Sequence, residues 1–592
     1  MVRSQMRYFV EAYSVFKYET LPSARSIRIL TLCPAEQHTD AIECMIEATE
    51  LEEASYDALS YSWGMNEDGN SSQDYELFIH GNRQWITRNL SEGLRRIRVC
   101  DKPIRIWIDA VCINQQDDVE RSVQVAMMAD IYARAEKIFV WLGNGTEEKE
   151  DLVMLDLLER IKKRTEQIKP WKEPRLRHQN CFILPLLGED SLPCSGCVAY
   201  QQSEPGGGDL HEFNAHVDWL KECFRSKPSL RQAAVDRTDM AIRFFSRRYW
   251  KRRWILQELS LSNTHHWYWG QHVLDMSKLP EDWIEDLLQA IWLVGHGLRE
   301  TSKDLTKTAA WPYYTVSLDS VAGDHPFRTR TMGLSKLCNS QNHDMIEKKT
   351  WNDLLRYFHS SECSEPKDMY YALASMAIPK IRIDYSLTVA QVFQEFAETM
   401  LDNGEWIWVF YCAAKTPNNQ QSLTMPSWVP DPRLVNFHYG GREPPMGIQL
   451  SQMDSLVCDV RCLGVLRTHE ESSGHSDTYR RTHDLHAVWD DLFWQVCSSR
   501  EPSDEISEVI RPSPLQLQID SYNVRAGDIL CSCLEKLTDF DVWIILRRKD
   551  ETTQTYELVG VQESGFALLE SILEEQHEQS FSECPKIKMR IV

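Results

Sequence analysis

The chain has 592 residues, well beyond the ~250–300 at which one hydrophobic core stops growing, so two or three domains are expected. With 42% hydrophobic and 26% charged residues, its composition excludes a disordered or fibrous class. A formal net charge of −23 repels phosphate backbones and excludes broad nucleic-acid binding, except through a locally concentrated basic patch.

The N-terminal residues lack the apolar core of a secretory signal, and no run approaches the ~20 apolar residues that span a bilayer; a cytoplasmic protein with no membrane contact is expected. The 17 cysteines are odd in number and scattered without framework spacing, which in a reducing compartment means free thiols. Ser26 to Leu32 alternates, with Ile27 and Ile29 on one face and Arg28 on the other, as a strand does. Tyr56 to Ser62 is a second strand, halted by Trp63-Gly64. Ile104, Ile106 and Ile108 alternate with Arg105 and Trp107 in a third, which ends on Asp109. Asp117 and Glu120 have the spacing of a capping box, and Val119, Val123, Met127 and Ile131, widened by Ala126 and Ala135, form the apolar stripe of the helix that follows. Ile138 to Leu142 reads as a strand buried on both faces. Strand, helix and strand at these lengths make a crossover unit of a parallel sheet.

From Thr146 to about Asp239 the chain is charged and irregular and reads as an insertion. Within it Cys194, Cys197, His211 and His216 have the letter of zinc-finger spacing. Pro205-Gly206-Gly207-Gly208 would break the helix that must present the histidines, so no metal site is expected. A helix around Trp254–Leu261 and a strand at His266–Trp269 close this part. Further on, Trp351–Phe358 and Ala390–Leu401 look helical, while Asp541–Arg547 and Thr555–Val561 look like an antiparallel pair. The expected division is a lead-in at 1–55, an α/β domain at 56–270 carrying the insertion at 146–239, and an α+β region at 271–592.

Common catalytic signatures are missing: no P-loop, dinucleotide-binding glycine fingerprint, nucleophile elbow or zinc-protease pair occurs. Two features draw attention instead. Asp109 ends a parallel strand, where open α/β sheets bind ligands, and Asn114 and Trp63 are expected at the same edge. Arg247, Arg248, Lys251, Arg252 and Arg253 crowd around Tyr249, Trp250 and Trp254, a mixture that suits an anionic small ligand or, by base stacking, a nucleic acid. Blander readings stand beside these: Trp63 only ends a strand, Glu120 only caps a helix, and Trp107 and Trp141 are core.

Three blocks occur in order: Tyr56-Asp57-Ala58-Leu59-Ser60-Tyr61-Ser62-Trp63-Gly64, then Ile106-Trp107-Ile108-Asp109-Ala110-Val111-Cys112-Ile113-Asn114-Gln115 continuing to Val140-Trp141-Leu142-Gly143, then Tyr249-Trp250-Lys251-Arg252-Arg253-Trp254-Ile255-Leu256-Gln257-Glu258-Leu259. Together they resemble the signature of the fungal heterokaryon-incompatibility (HET) family. Weaker similarity extends to Lys17-Tyr18-Glu19 and Ile27-Arg28-Ile29-Leu30 before it, and to Asp368-Met369-Tyr370-Tyr371-Ala372-Leu373, Asp384-Tyr385-Ser386 and Pro426-Ser427-Trp428-Val429-Pro430-Asp431 after it. Lys367-Asp368-Met369 departs from the family's usual lead-in at that turn.

The resemblance implies programmed cell death on non-self recognition, protein partners, and self-association into a homo-oligomer. HET domains are in turn similar to TIR domains, which implies a mainly parallel, TIR-like or flavodoxin-like α/β fold. Active TIR domains cleave NAD, and Trp254 and Glu258 carry over from their pattern. This implies Glu258 as catalytic carboxylate and Trp63, Asp109, Asn114, Arg253 and Trp254 as binding residues, with NAD as substrate, no cofactor and no metal. Arg252 and Arg253 would meet the pyrophosphate. The alternative is that Trp254 is core and Glu258 pairs with Arg121 or Arg253. A non-enzymatic death-signalling module, and a nucleic-acid-associated regulator resting on the basic cluster, remain open.

Overall fold

A computed structural model describes residues 14–63, 72–145, 148–168, 183–188, 209–260, 264–275, 283–299, 349–358, 361–414, 425–433, 448–450, 456–468, 492–495, 528–532, 542–550, 555–563 and 586–591. They fall into two compact units. The first takes the chain to Lys349 together with Ser360–Ile378 and Arg382–Ser386; the second takes Thr350–His359, Pro379–Ile381 and everything from Leu387 onward.

A nine-stranded sheet organises the first unit. Its strands are β1 (Ser26–Leu32), β2 (Glu43–Glu50), β3 (Asp57–Tyr61), β4 (Tyr75–Ile79), β5 (Asn82–Ile86), β6 (Ile104–Trp107), β7 (Ile138–Trp141), β8 (His265–Trp269) and β9 (His272–Asp275). They lie in the order β5-β4-β2-β1-β6-β3-β7-β8-β9. The central strands β6, β3, β7 and β8 are mutually parallel. β1 joins β6 antiparallel, and β9 joins β8 antiparallel. The sheet is therefore mixed: its centre is parallel, and on the flanks β1–β2, β4–β5 and β8–β9 are antiparallel while β2–β4 is parallel. The strand-helix-strand unit expected at Ile104–Leu142 has parallel strands, but β3 lies between them, hydrogen-bonded to both.

The centre is buried on both faces, as the apolar runs require. All four residues of β7 are buried, as are Ala58, Leu59, Ser60 and Tyr61 of β3. In β1 the face opposite Ile27 and Ile29 is not solvent: Arg28 is only 4% exposed. Its guanidinium is held bidentately by Glu120 at 2.6 and 2.9 Å. At the β4–β5 turn, His80 and Gly81 both take positive φ, 49° and 75°, the conformation of a two-residue hairpin turn that matches strand twist.

The helices of this part are α1 (Arg88–Ile97), α2 (Asp109–Cys112), α3 (Asp118–Ala126) and α4 (Met128–Arg134). Asp117 caps α3 by accepting from Val119 N and Glu120 N. The Glu120 side chain, however, accepts from Asn114 N, outside the expected capping box. The expected stripe is also redrawn. Val119 is 73% exposed and Ala126 is exposed, because the chain breaks at Met127, which closes α3 and opens α4. That break resets the helical phase: Met127, Ile131 and Ala135 of the stripe are buried, while Gln124, Val125, Met128 and Tyr132 join them in place of Val119 and Ala126.

In the expected insertion, the described residues are helical: α5 (Glu148–Ile168), α6 (Ile183–Leu187), α7 (Asp209–Ser226) and α8 (Pro228–Phe245) pack on one another. α9 (Arg248–Lys251) and α10 (Ile255–Ser260) lead back to β8, and α11 (Trp283–Arg299) returns to the α6–α8 cluster. Phe244, Phe245, Trp250, Trp267 and Trp269 form an aromatic cluster with centroids 5.1–6.2 Å apart.

The second unit contains helices Trp351–Phe358, Val389–Asp402 and Trp406–Ala414. Thr388 and Gln391 form a full capping box at the second of these. Seven strands follow, β10 (Ile448–Leu450), β11 (Leu456–Thr468), β12 (Leu492–Gln495), β13 (Ile529–Ser532), β14 (Val542–Asp550), β15 (Thr555–Glu563) and β16 (Lys586–Ile591). β14 and β15 are the expected antiparallel pair. Pairing of β16 with both β15 and β11 closes β11-β13-β14-β15-β16 into a ring.

Candidate functional site

Strand register explains why polar groups converge at one end of the parallel centre. β3 pairs with β6 so that Asp57 faces Ile106 and Ala58 faces Trp107. Two residues beyond the last of these pairs on each strand come Ser60 and Asp109, the first residue of α2. Ser60 is 0% exposed, and a buried hydroxyl needs partners. It finds two: the Glu258 carboxylate at Oε2, and the Tyr249 hydroxyl at 2.7 Å. When Ser60 donates to Glu258, Tyr249 supplies the proton that Ser60 accepts, so the three form a short relay.

Arg252 sits between two carboxylates. Its Nη1 lies 3.6 Å from Glu258 Oε1 and its Nη2 4.0 Å from Asp109 Oδ2. It also donates to the Tyr61 carbonyl. Glu258 is 1% exposed, and among the described residues its Oε1 has no hydrogen-bond partner.

A carboxylate with so little solvent is expensive to ionise. Burial raises Glu258 to about 7, with Asp109 adding to the effect while Arg252 and the Ser60 hydroxyl oppose it. Asp109 is raised as well, again by burial, against the pull of Arg252, the Ala110 N–H and the Tyr61 hydroxyl. Burial works against the charge of Arg252, but Glu258 and Asp109 hold it fully protonated. The cluster thus pairs one fixed cation with two carboxyl groups that burial holds above their ordinary range, Glu258 at about 7.

The remaining residues singled out from sequence are placed as follows. Arg253 is 0% exposed and turns away from the pair, donating from Nε to Ser361 Oγ at 2.9 Å and from Nη1 to the Met369 carbonyl. Burial lowers it to about 10. It is thus committed to packing and not free to meet a pyrophosphate. Trp254 donates its indole N–H to Asp368 Oδ2 at 3.0 Å. Trp254 immediately precedes α10 and its carbonyl accepts from Gln257 N and Glu258 N, yet the Trp254 and Glu258 side chains contact different partners, Asp368 and Ser60. Asn114 accepts from Gln116 N through its side chain and forms the turn into α3. Trp63 is half-buried at the end of β3. Arg121 pairs with Asp118 at 3.4 Å and stacks 3.7 Å from the Tyr385 ring, so the cation facing Glu258 is Arg252, neither Arg121 nor Arg253.

Sequence reasoning missed Ser60 and Tyr249 as parts of this cluster. The available signal was a small hydroxyl at Ser60, between Leu59 and Tyr61 in a strand expected to be buried. The basic-aromatic patch offers no stacking platform: Tyr249 and Trp250 are each 1% exposed, and Arg247 lies over Trp269 at 4.6 Å. Cys194 and Cys197, and the side chains of His211 and His216, lie outside the described residues. Among the described residues no group of three or more His, Cys, Asp or Glu could hold a metal ion, and no helix is long and apolar enough to cross a membrane.

Residues 56–258 match the family model described as Heterokaryon incompatibility protein (HET). Heterokaryon incompatibility protein 6, OR allele, of Neurospora crassa is 34% identical over 166 residues, which is 25% of this chain and 24% of that protein. The match therefore spans about a quarter of that relative's length. No solved structure matches the chain.

Proposed function

Because the chain carries a fungal heterokaryon-incompatibility domain over residues 56–258, we propose that it triggers cell death on non-self recognition, and that it does so by cleaving NAD at Glu258. The observation that carries this reading is the buried Arg252 bracketed by Glu258 and Asp109 at the C-terminal end of the parallel strands, where open α/β sheets bind ligands. Numbered by chain position, the four parallel strands lie in the order 2-1-3-4, which supports a flavodoxin-like and TIR-like topology. The C-terminal α+β region would carry recognition of a protein partner.

Nicotinamide in NAD is already cationic, so its departure needs no general acid, unlike ordinary glycoside hydrolysis. The C–N glycosidic bond breaks with its electron pair going to the nicotinamide nitrogen, and water bonds to the ribose carbon and loses a proton. Glu258, ionised, stabilises the positive charge that develops on the sugar, an electrostatic effect often worth about 3–4 kcal/mol per group. Arg252 keeps a fraction of Glu258 ionised at neutral pH, while Ser60 and Tyr249 fix the carboxylate's orientation.

At 1% exposure Glu258 is closed to substrate. The resting chain is then latent, and recognition by a protein partner or a second copy in the cytoplasm opens the site. The same burial favours a second reading, a non-enzymatic signalling module in which Arg252 and Glu258 form a structural pair. Purified full-length chain, incubated with NAD alone and under self-associating conditions, separates the two. Release of nicotinamide that disappears in Glu258→Gln supports cleavage. Intact NAD with folded protein in both conditions leaves the signalling module.

A further inference from the structure

The segment that carries Glu258 has two sides. Ser60, Asp109 and Tyr249 meet Arg252 and Glu258 on one of them. On the other, nearly every remaining polar group from Lys251 to Ser260 is held by a stretch of chain that lies a hundred residues further on and outside the family match. Arg253 N donates to the Glu362 carbonyl at 2.9 Å, and Glu362 N donates to the Lys251 carbonyl at 2.6 Å. The Arg253 guanidinium is capped by Ser361 and Met369. Trp254 Nε1 reaches Asp368 at 3.0 Å, Gln257 Nε2 reaches the Ala372 carbonyl at 2.8 Å, and Ser260 meets the Met376 sulfur at 3.6 Å.

This strap is itself pinned elsewhere on the first unit. Asp368 accepts from Tyr385, Tyr385 lies under Arg121, and Tyr385 N donates to Ser122 Oγ at 2.8 Å. The bonds along the strap therefore run from α3 to the segment Lys251–Ser260, which carries both members of the Arg252–Glu258 pair. Both ends of the strap continue into residues of the second compact unit, so the chain gives the C-terminal region a covalent hold on it.

We propose that residues 361–386 are a latch that keeps the Glu258 site closed. Trp254, Gln257 and Arg253 are the contacts through which it acts, and none of them faces the Ser60–Arg252–Asp109 side. Release of the latch lets the segment from Lys251 to Ser260 lift from the sheet and exposes Glu258 to solvent and substrate. The latch rests on the NAD-cleaving reading only for what the opened site does; closure itself is a property of the fold.

The test is carbodiimide labelling of carboxyl groups on the folded full-length chain, read peptide by peptide by mass spectrometry. Trp254→Phe removes the indole donor to Asp368 and keeps a ring; Gln257→Met removes the bond to Ala372 and serves if the first variant folds poorly. Glu120 in the first unit and Asp431, 0% exposed, in the second report any general loosening. The latch predicts that Glu258 is labelled about tenfold faster in either variant, the scale of losing one hydrogen bond to a charged or buried group, with Glu120 and Asp431 unchanged. Unchanged labelling of Glu258 in a folded variant overturns it, as does a rise shared equally by Glu120. Labelling reads closure directly, so a chain that leaves NAD intact removes the cleavage reading and still decides the latch.

Discussion

At the scale of single residues, the Glu258 carboxyl group is raised to about 7 by burial. The linkage sign follows directly. An acid whose folded value lies above its unfolded one, about 4.3 for glutamate, is bound to its proton more tightly when folded, so it adds stability below about pH 4 and that contribution is lost as pH rises toward 7. Glu258→Gln keeps the shape and removes the titration. Its stability relative to wild type is therefore expected to rise between about pH 5 and pH 8, by up to roughly 3 kcal/mol, in denaturant melts at each pH. A difference that stays flat with pH would mean that Glu258 titrates like an exposed carboxylate. A second residue-scale expectation concerns Arg28 and Glu120, whose side chains are 5% and 11% exposed. Glu120→Ala leaves a buried guanidinium without its carboxylate and should cost about 3–5 kcal/mol; a loss under about 1 kcal/mol would place the pair in the surface class. Glu258 itself was legible in the sequence through family resemblance. Its partner Arg252 was not, because the choice among Arg121, Arg252 and Arg253 depends on where α10 begins, and helix starts are poorly marked in sequence.

At the scale of elements, the strands were the most legible part. β1, β3, β6, β7 and β8 fall close to where alternation or continuous apolar runs place them, since burial of a pleated strand leaves a direct imprint on its residues. The helix after Asp117 was only half legible. A four-residue stripe cannot reveal a break at Met127, and the stripe put Val119 inside when it is 73% exposed. Close approaches were hidden too. Gly93 lies in α1 against Trp141, where a Cβ would sit 3.0 Å from the indole Cδ1, and Trp141 is fixed in place by Asn89 at 2.9 Å. In an exposed helix Gly→Ala gains about 1 kcal/mol. Here Gly93→Ala is expected to lose about 1 kcal/mol or more, the scale of overpacking a fixed core, measurable as a lower denaturation midpoint. A gain of stability would show that Trp141 moves aside at little cost.

At the scale of the whole molecule, neither the strand order nor the division of the chain could be read from sequence. β1 comes from the lead-in yet lies between β2 and β6, and β3 lies between β6 and β7; both placements are set by long-range pairing, which leaves no local mark. The strap at 361–386 rejoins the first unit after a stretch belonging to the second. A chain ended after residue 299 is therefore expected to lose cooperative unfolding, because Arg253, Trp254 and Gln257 lose their bonds to Ser361, Met369, Asp368 and Ala372, whereas one ended after Ser386 retains it. Equal cooperativity in calorimetry would make the strap dispensable to the fold. The central claim, that a latent site at Glu258 kills by consuming NAD, is tested most directly by inducing the full chain and its Glu258→Gln variant to equal folded levels in a fungal host, while following viability and cellular NAD together. The account predicts that NAD falls before viability in the wild type and that both hold in the variant. Death of both strains alike, with NAD unchanged, would contradict it.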